Sequence, residues 1–330
     1  MQAILRRLAV YLLAAWVALT VSFLLPRMVP GNPVAGAVAR ASQSGGCNAQ
    51  CVQAIEEQLG YNVHTSLWTQ YVQYLGQLAQ GNLGHSWSEN APVASLIISY
   101  LPWTLGLLGV ATVLSFLAGT AIGVVMAWRR GSWLDWVMPA ATFFQALPYF
   151  FLGLVLVLIF GQTGTMLRWF PSLFGYDIYG VTPGLNVPYI LSVIGHAILP
   201  AATVVLASIA GFIVSMRNQM ITTMDEDFVL VARAKGLPTS RVVWYAARNA
   251  LLPVVSNFTV AISLVVAGQI LVEIVFNYPG IGYHLYDALG KLDYALVQGI
   301  FVVITLIVLA ANLIADVVYV LIDPRVRQAA

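Results

Sequence analysis

The side chains able to do chemistry fall into two groups. One is a charged run at 217–250, RNQMITTMDEDFVLVARAKGLPTSRVVWYAARNA, with Asp225, Glu226 and Asp227 followed by Arg233, Lys235, Arg241 and Arg248. The other is a scatter of polar residues inside apolar stretches: Gln145, His196, Gln269, Glu273, Asn312 and Asp316. Neither group supplies bond-breaking machinery. No GxxxxGK(S/T) phosphate loop, kinase-type glycine loop or His/Cys metal spacing occurs, and no nucleophile–base pairing stands out. What these residues offer is ion pairing, helix-end charge and hydrogen bonding in a low dielectric. The chain reads as non-catalytic, with no cofactor or metal of its own.

The elements that carry them are membrane helices. The chain is 60% hydrophobic and 8% charged, against about 25% charged for a soluble domain, so most of its surface is solvated by lipid. Six runs are long and apolar enough to cross: 8–29, 103–127, 136–161, 194–216, 251–276 and 299–322. Lipid offers no hydrogen-bond partners and the alternating segments of a barrel are missing, so the fold class is an all-α polytopic membrane protein with six spans. The first run also has features of a signal peptide, Arg6-Arg7 ahead of it and Ala39-Arg40-Ala41 after it. Its apolar stretch from Leu8 to Leu25 exceeds the usual h-region, which favours a retained helix.

Orientation follows from the cations. Eleven of the fifteen Lys and Arg fall on one side: Arg6, Arg7, Arg129, Arg130, Arg217, Arg233, Lys235, Arg241, Arg248, Arg325 and Arg327. These sit in the shorter loops, so that side and both termini are expected in the cytoplasm. The chain then divides into an N-terminal helix (1–29), an extracytoplasmic segment with amphipathic helices (30–101), a core of five helices (102–322) containing the 217–250 loop, and a cytoplasmic tail (323–330). Within 30–101, LWTQYVQYLGQLAQ spaces Trp68, Val72, Leu75 and Leu78 for an amphipathic helix on the outer membrane interface or on the other helices. Cys47 and Cys51 lie on the same oxidising side, where a disulfide, free thiols or a metal site remain alternatives, the disulfide favoured.

The charged run cannot span, because one charge at mid-bilayer costs roughly 2.5–3.5 kcal/mol even on lenient scales. It is expected as two short helices. Asp225, Glu226 and Asp227 suit the positive N-terminus of the first, and Arg233 and Lys235 its last turn. Gly236 suits a left-handed stop, and Pro238 prevents continuation. Thr239 or Ser240 is expected to cap the second. Phe228, Val231 and Ala232 are expected on one apolar edge, the face of either a docking knob or an ordinary interfacial helix.

Small residues at four-residue spacing, Ser115, Gly119, Gly123 and Ala127 and again Thr203, Ala207, Gly211 and Ser215, allow close helix approach, within the subunit or at a seam. Glu273 lies about 33 Å along its helix from Leu251, near the outer surface. There it is expected to fix the following Pro279-Gly280-Ile281-Gly282 turn or an outer gate. Gln145, with Pro148 after it, is expected at a kink, with Gln269, Asn312 and Asp316 as packing or pathway residues. No polar cluster falls at mid-membrane, which argues against an ion-coupled secondary carrier. A non-transporting scaffold that uses the 217–250 loop as a dock is the third reading.

VARAKGLPTSRVVWYAARNALLP resembles the cytoplasmic coupling loop of ATP-binding-cassette importer permeases, in the variant of dipeptide and oligopeptide transporters. The general family has Glu-Ala-Ala ahead of the glycine; here Leu230-Val231-Ala232 stands there, with extra residues before Leu252-Pro253. PGNP (30–33) is similar to the subfamily's PGDP. GNLGHSW (81–87) with Pro92-Val93 and Leu101-Pro102 resembles its GDLGxS…PV…LP. Glu273, Phe276 and Pro279-Gly280-Ile281-Gly282 match E-x-x-F-x-x-P-G-x-G. Asp293-Tyr294 with Val297-Gln298-Gly299 matches D-Y-P-x-V-Q-G, Ala295 replacing Pro, and Asn312, Asp316 and Asp323-Pro324-Arg325 match its ending.

The resemblance implies a type I importer permease of a bacterial inner membrane. It implies a second homologous permease, two ATPase subunits that bind ATP and Mg, an extracytoplasmic binding protein, and a di- or oligopeptide cargo. Nickel or another small solute is the alternative cargo. It also implies that Asp225, Asp227, Phe228, Arg233, Ala234, Lys235 and Gly236 couple the chain to an ATPase subunit, and that no nucleic acid is involved.

Overall fold

A computed structural model describes residues 2–28, 34–43, 46–58, 65–268 and 270–322. In chain order the elements are α1 (Gln2–Met28), α2 (Ala35–Gln43), α3 (Ala49–Gln58), α4 (Leu67–Ala79), β1 (His85–Ser86), β2 (Ala91–Pro92), α5 (Val93–Trp128), α6 (Val137–Ala146), α7 (Tyr149–Phe160), α8 (Val187–Met224), α9 (Asp227–Ala234), α10 (Thr239–Gly268), α11 (Ile270–Val275), α12 (Ile281–Gly290) and α13 (Tyr294–Ile322). Two compact bodies contain them, Met1–Thr104 with Pro279–Leu309, and Leu105–Tyr278 with Ala310–Ala330.

Among the described residues three unbroken helices are long and apolar enough to cross a membrane, Val93–Trp128, Val187–Met224 and Tyr294–Ile314. A bent pair joins them, Trp133–Ala146 with Tyr149–Phe160. The run at 136–161 is therefore two helices meeting at 104° rather than one kinked helix. Pro148 is the cause: it has no N–H to continue the ladder, and it drives Leu147 into extended backbone, φ −78° and ψ 134°. Prolines 102, 200 and 253 lie inside α5, α8 and α10 without ending them.

In the first body α4 rests on α1. Ser66 caps α4 by accepting from Thr69 N at 3.2 Å. Tyr71 meets the Thr20 hydroxyl at 2.7 Å, and the Arg27 guanidinium lies 3.6 Å from the Phe23 ring while donating to Gln70. Tyr71 and Tyr74 pack on buried Phe23, leaving Trp68 and Val72 exposed. Of the two supports expected for this helix, the other helices therefore take its Tyr71–Tyr74 side. Cys47 and Cys51 are joined by a disulfide at the start of α3.

A two-residue antiparallel ladder, β1 with β2, was not expected from sequence. It is anchored by Asp293, which is fully buried. The Asp293 carboxylate accepts from Ser86 Oγ at 2.6 Å, Ser88 Oγ at 2.8 Å, Ser88 N at 3.0 Å and Leu296 N at 3.1 Å. The last bond also caps α13. Gly299 is required there because a Cβ would collide with Val93.

In the second body α5 and α8 cross closely. A Cβ on Gly119 would meet Phe212 Cβ at 2.7 Å, and one on Gly123 would meet the Ile213 carbonyl oxygen at 2.8 Å. The small stripe of α8 serves other neighbours. A Cβ at Gly153 of α7 would lie 3.6 Å from Thr203 Cγ2, and one at Gly211 would lie 3.5 Å from Gln145 Nε2 of α6. Both stripes thus pack within this subunit.

Candidate functional site

The charged loop is shorter than its sequence suggested. α8 continues as helix to Met224 and α10 begins at Thr239, so only 225–238, with α9 inside it, lies between the two long helices. The residues at 217–224 and 239–250 are the last part of α8 and the first part of α10. The second short helix expected in the loop is the first part of α10.

Each end of α9 is defined by identifiable chemistry. Asp225 closes α8, Glu226 occupies the N-cap position without a side-chain capping bond, and Asp227 stands in the first turn. At the other end Leu237 N donates to the Ala232 carbonyl and Gly236 N to the Arg233 carbonyl. These are the two bonds of a Schellman stop, with Gly236 at φ +71°. No atom comes within 4 Å of the place where a Gly236 Cβ would sit, so the glycine is needed for its backbone conformation, not for space. The N-cap position of α10 belongs to Pro238, whose carbonyl accepts from Arg241 and Val242 N. This corrects the expected Thr239 or Ser240: proline's fixed φ leaves the chain poised to enter the helix one residue earlier.

α9 is wedged between its neighbours. Val229 and Ala232, three residues apart on one face, are buried among Met216 and Met220 of α8 and Val242, Ala246 and Ala250 of α10. Burying a valine side chain this way contributes about 1.5–3 kcal/mol. The expected edge of Phe228, Val231 and Ala232 is therefore corrected. Ala232 is inside, but its buried companion is Val229, while Phe228, Leu230 and Val231 face outward. The phase is set by two flanking helices that claim the Val229–Ala232 stripe.

The outward surface of the segment brings together Asp225, Asp227, Phe228, Arg233, Ala234, Lys235 and Gly236, all exposed. Among the described residues no ion pair holds Asp225, Asp227, Arg233 or Lys235 within the chain. A short apolar ridge rimmed by unengaged charges of both signs is suited to receiving a protein surface. Among the described residues no group of three or more His, Cys, Asp or Glu side chains is placed to hold a metal ion.

The other sequence candidates do not gather with it. Glu273 is buried on α11, and its carbonyl accepts from Tyr278 N at 2.8 Å, closing the turn at Asn277. Burial first, and the Glu273 carboxylate second, push the Tyr278 hydroxyl up, so it stays protonated. Gly280 is the N-cap of α12 and its carbonyl accepts from His284 N. Ile281 N donates to Thr104 Oγ1 at 2.8 Å, and Gly280, Ile281 and Gly282 are all buried beside Pro279. Gln145 is exposed on α6, and Pro148 opens α7. Asn312 is half-buried on α13. Gln269 and the Asp316 side chain lie outside the described residues, as do 30–33 and the tail at 323–330. His196 is half-buried, its Nδ1 2.8 Å from the Ser192 carbonyl.

Two arrangements escaped sequence reasoning. One is the Asp293 anchor, whose serine partners stand more than two hundred positions away, a separation no local pattern reveals. The other is the pairing of Arg217 with Asp135 at 3.7 Å, which ties α8 to the turn ahead of α6.

Residues 119–328, including α9 and the Pro279–Gly282 turn, match the family model described as the binding-protein-dependent transport system inner membrane component. The chain belongs to that family. The permease is 33% identical over 311 residues, 93% of each chain, to the oligopeptide transport system permease protein AppB of Bacillus subtilis. It is 34% identical over 340 residues to the di/tripeptide transport system permease protein DppB of Pseudomonas aeruginosa, covering 98% of this permease and 97% of that one. A probable peptide transporter permease of Sinorhizobium fredii is 33% identical over 310 residues.

Proposed function

We propose that the permease forms half of the membrane pathway of an ATP-driven importer, carrying di- or oligopeptides delivered by an extracytoplasmic binding protein. The relatives that cover nearly all of the chain are peptide-transport permeases by name, which supports the cargo. In this reading six spans place both termini in the cytoplasm. A second permease of similar fold completes the pathway, and two partner subunits bind and hydrolyse ATP with Mg.

The observation that carries the reading is α9. Its apolar ridge of Phe228, Leu230 and Val231, rimmed by Asp227 and Arg233, enters a cleft of one ATPase subunit. Its buried face, Val229 and Ala232, grips α8 and α10. Closure of the ATPase pair on nucleotide then favours one of two arrangements of these helices, and cargo crosses as the arrangements alternate. Chemistry stays with the partners; this subunit supplies the path and the handle.

The test is reconstitution of the permease with its second permease, ATPase subunits and binding protein in liposomes. Arg233→Glu with Lys235→Glu should insert and assemble normally while binding protein and peptide no longer stimulate ATP turnover. Normal peptide-stimulated turnover in that variant defeats the coupling role. Uptake of labelled nickel complexes in place of peptides would defeat the cargo and leave the coupling intact.

A further inference from the structure

Residues 128–136, WRRGSWLDW, join α5 to α6 and take no part in the proposed coupling. Trp133–Trp136 forms a single 3-10 turn, in which residues three apart eclipse. Both indoles therefore point from one edge, and they are 76% and 78% exposed, with Trp128 at 37% beside them. Arg129 and Arg130 are exposed on the same segment. Asp135, its only acid, is drawn inward: Oδ2 accepts from Gly131 N at 2.9 Å and Oδ1 faces Arg217 of α8 at 3.7 Å. Gly131, at φ +78°, makes that return possible. What remains outside is two guanidiniums and a set of tryptophans.

The place of this patch names its partner. It stands at the last residue of one candidate span, Val93–Trp128, and at the start of the bent pair that opens at Trp133. The apolar run read from the sequence as crossing, 103–127, ends one residue before Trp128, which sets this turn at the expected boundary between hydrocarbon and water. Indoles prefer that boundary because their rings are apolar and their N–H groups need a polar acceptor. Guanidiniums at the same level meet phosphates with two parallel donors, and each cation near an anionic leaflet is drawn to it.

We propose that this tryptophan–arginine turn is a binding surface for the headgroup of an anionic phospholipid, with the indoles at the glycerol level and Arg129 and Arg130 on the phosphate. It depends on neither the cargo nor the ATPase partner.

The full-length permease in nanodiscs tests this. Brominated phosphatidylglycerol and brominated phosphatidylcholine, at equal mole fraction, are compared as quenchers of the emission that Trp133→Phe with Trp136→Phe removes. Quenching is expected to be about twofold stronger with the anionic lipid, and the preference should vanish in Arg129→Gln with Arg130→Gln. Because losing those cations can disturb insertion, the unaltered permease is also measured in about 1 M salt, which should remove the same preference. Equal quenching by the two lipids overturns the headgroup choice. No quenching by either places another occupant, or water, over the indoles and overturns the proposal. A preference that survives both salt and neutralisation removes the role of the arginines.

Discussion

Gly236 tests whether the proposed coupling through α9 needs the segment's shape or only its charges. Its left-handed φ disfavours an L side chain by about 1 kcal/mol for Ala and more for a β-branched residue. Gly236→Val should loosen the Schellman stop, so that ATP hydrolysed per peptide imported rises in liposomes while membrane insertion is unchanged. Gly236→Asn, which tolerates the same conformation, should restore much of the ratio. Asp293 makes a different prediction. Asp293→Ala removes the acceptor for Ser86, Ser88 and the first turn of α13, and bonds to a charged group are worth about 1.5–3 kcal/mol each. The thermal unfolding midpoint should fall by several degrees, read in detergent.

His284 adds a pH dependence. Its ring stacks on Tyr100 at 3.4 Å, and burial lowers its pKa from 6.5 to about 4 against the opposing pull of Glu89 and Asp287, Lys291 assisting the lowering. Between about pH 4 and 6.5 the folded protein therefore holds this histidine neutral while the unfolded chain protonates it. Its contribution is complete above about pH 6.5 and declines as pH falls toward 4. His284→Phe should flatten that part of the stability curve relative to the unaltered permease. A parallel decline in both proteins rejects the assignment. The Gly236 stop was legible in the sequence because it depends on neighbours along the chain. The Asp293 and His284 environments were not, because their partners come from distant segments.

Among the elements, the small-residue stripes were readable but their partners were not. The spacing of Gly119 and Gly123 announces a close helix contact, yet nothing local says that α8 fills it with Phe212, Ile213 and Met216. Where the obstacle is a backbone carbonyl, a new side chain cannot be accommodated by a rotamer change. Gly123→Val should cost about 1–3 kcal/mol or more and lower the unfolding midpoint. Gly109→Ala on the same helix, with nothing within 4 Å of its Cβ position, should be neutral or slightly stabilising. Finding the two variants equally damaging would mean the α5–α8 crossing is not as close as described. The break at Pro148 was similarly announced by one residue, whereas its 104° angle depends on how α6 and α7 pack against α8. The inward phase of α9 was missed for the same reason. Two apolar edges were available on so short a helix, and flanking helices selected Val229 with Ala232.

For the whole molecule, cation placement gives an orientation that can be checked directly. A cysteine at Ser240 should react with an impermeant thiol reagent only from the cytoplasmic face, while Cys47 and Cys51 should react only from the opposite face and only after reduction. Labelling of position 240 from outside intact cells would invert the topology and remove the coupling role with it. The wedge of α9 has one further consequence. A well-packed interior yields little under load, and Val229 and Ala232 share one buried cluster with Met220 of α8 and with Val242 and Ala246 of α10. If a partner does drive this stub as proposed, the tug reaches two columns at once, because one knot of side chains ties the stub to both.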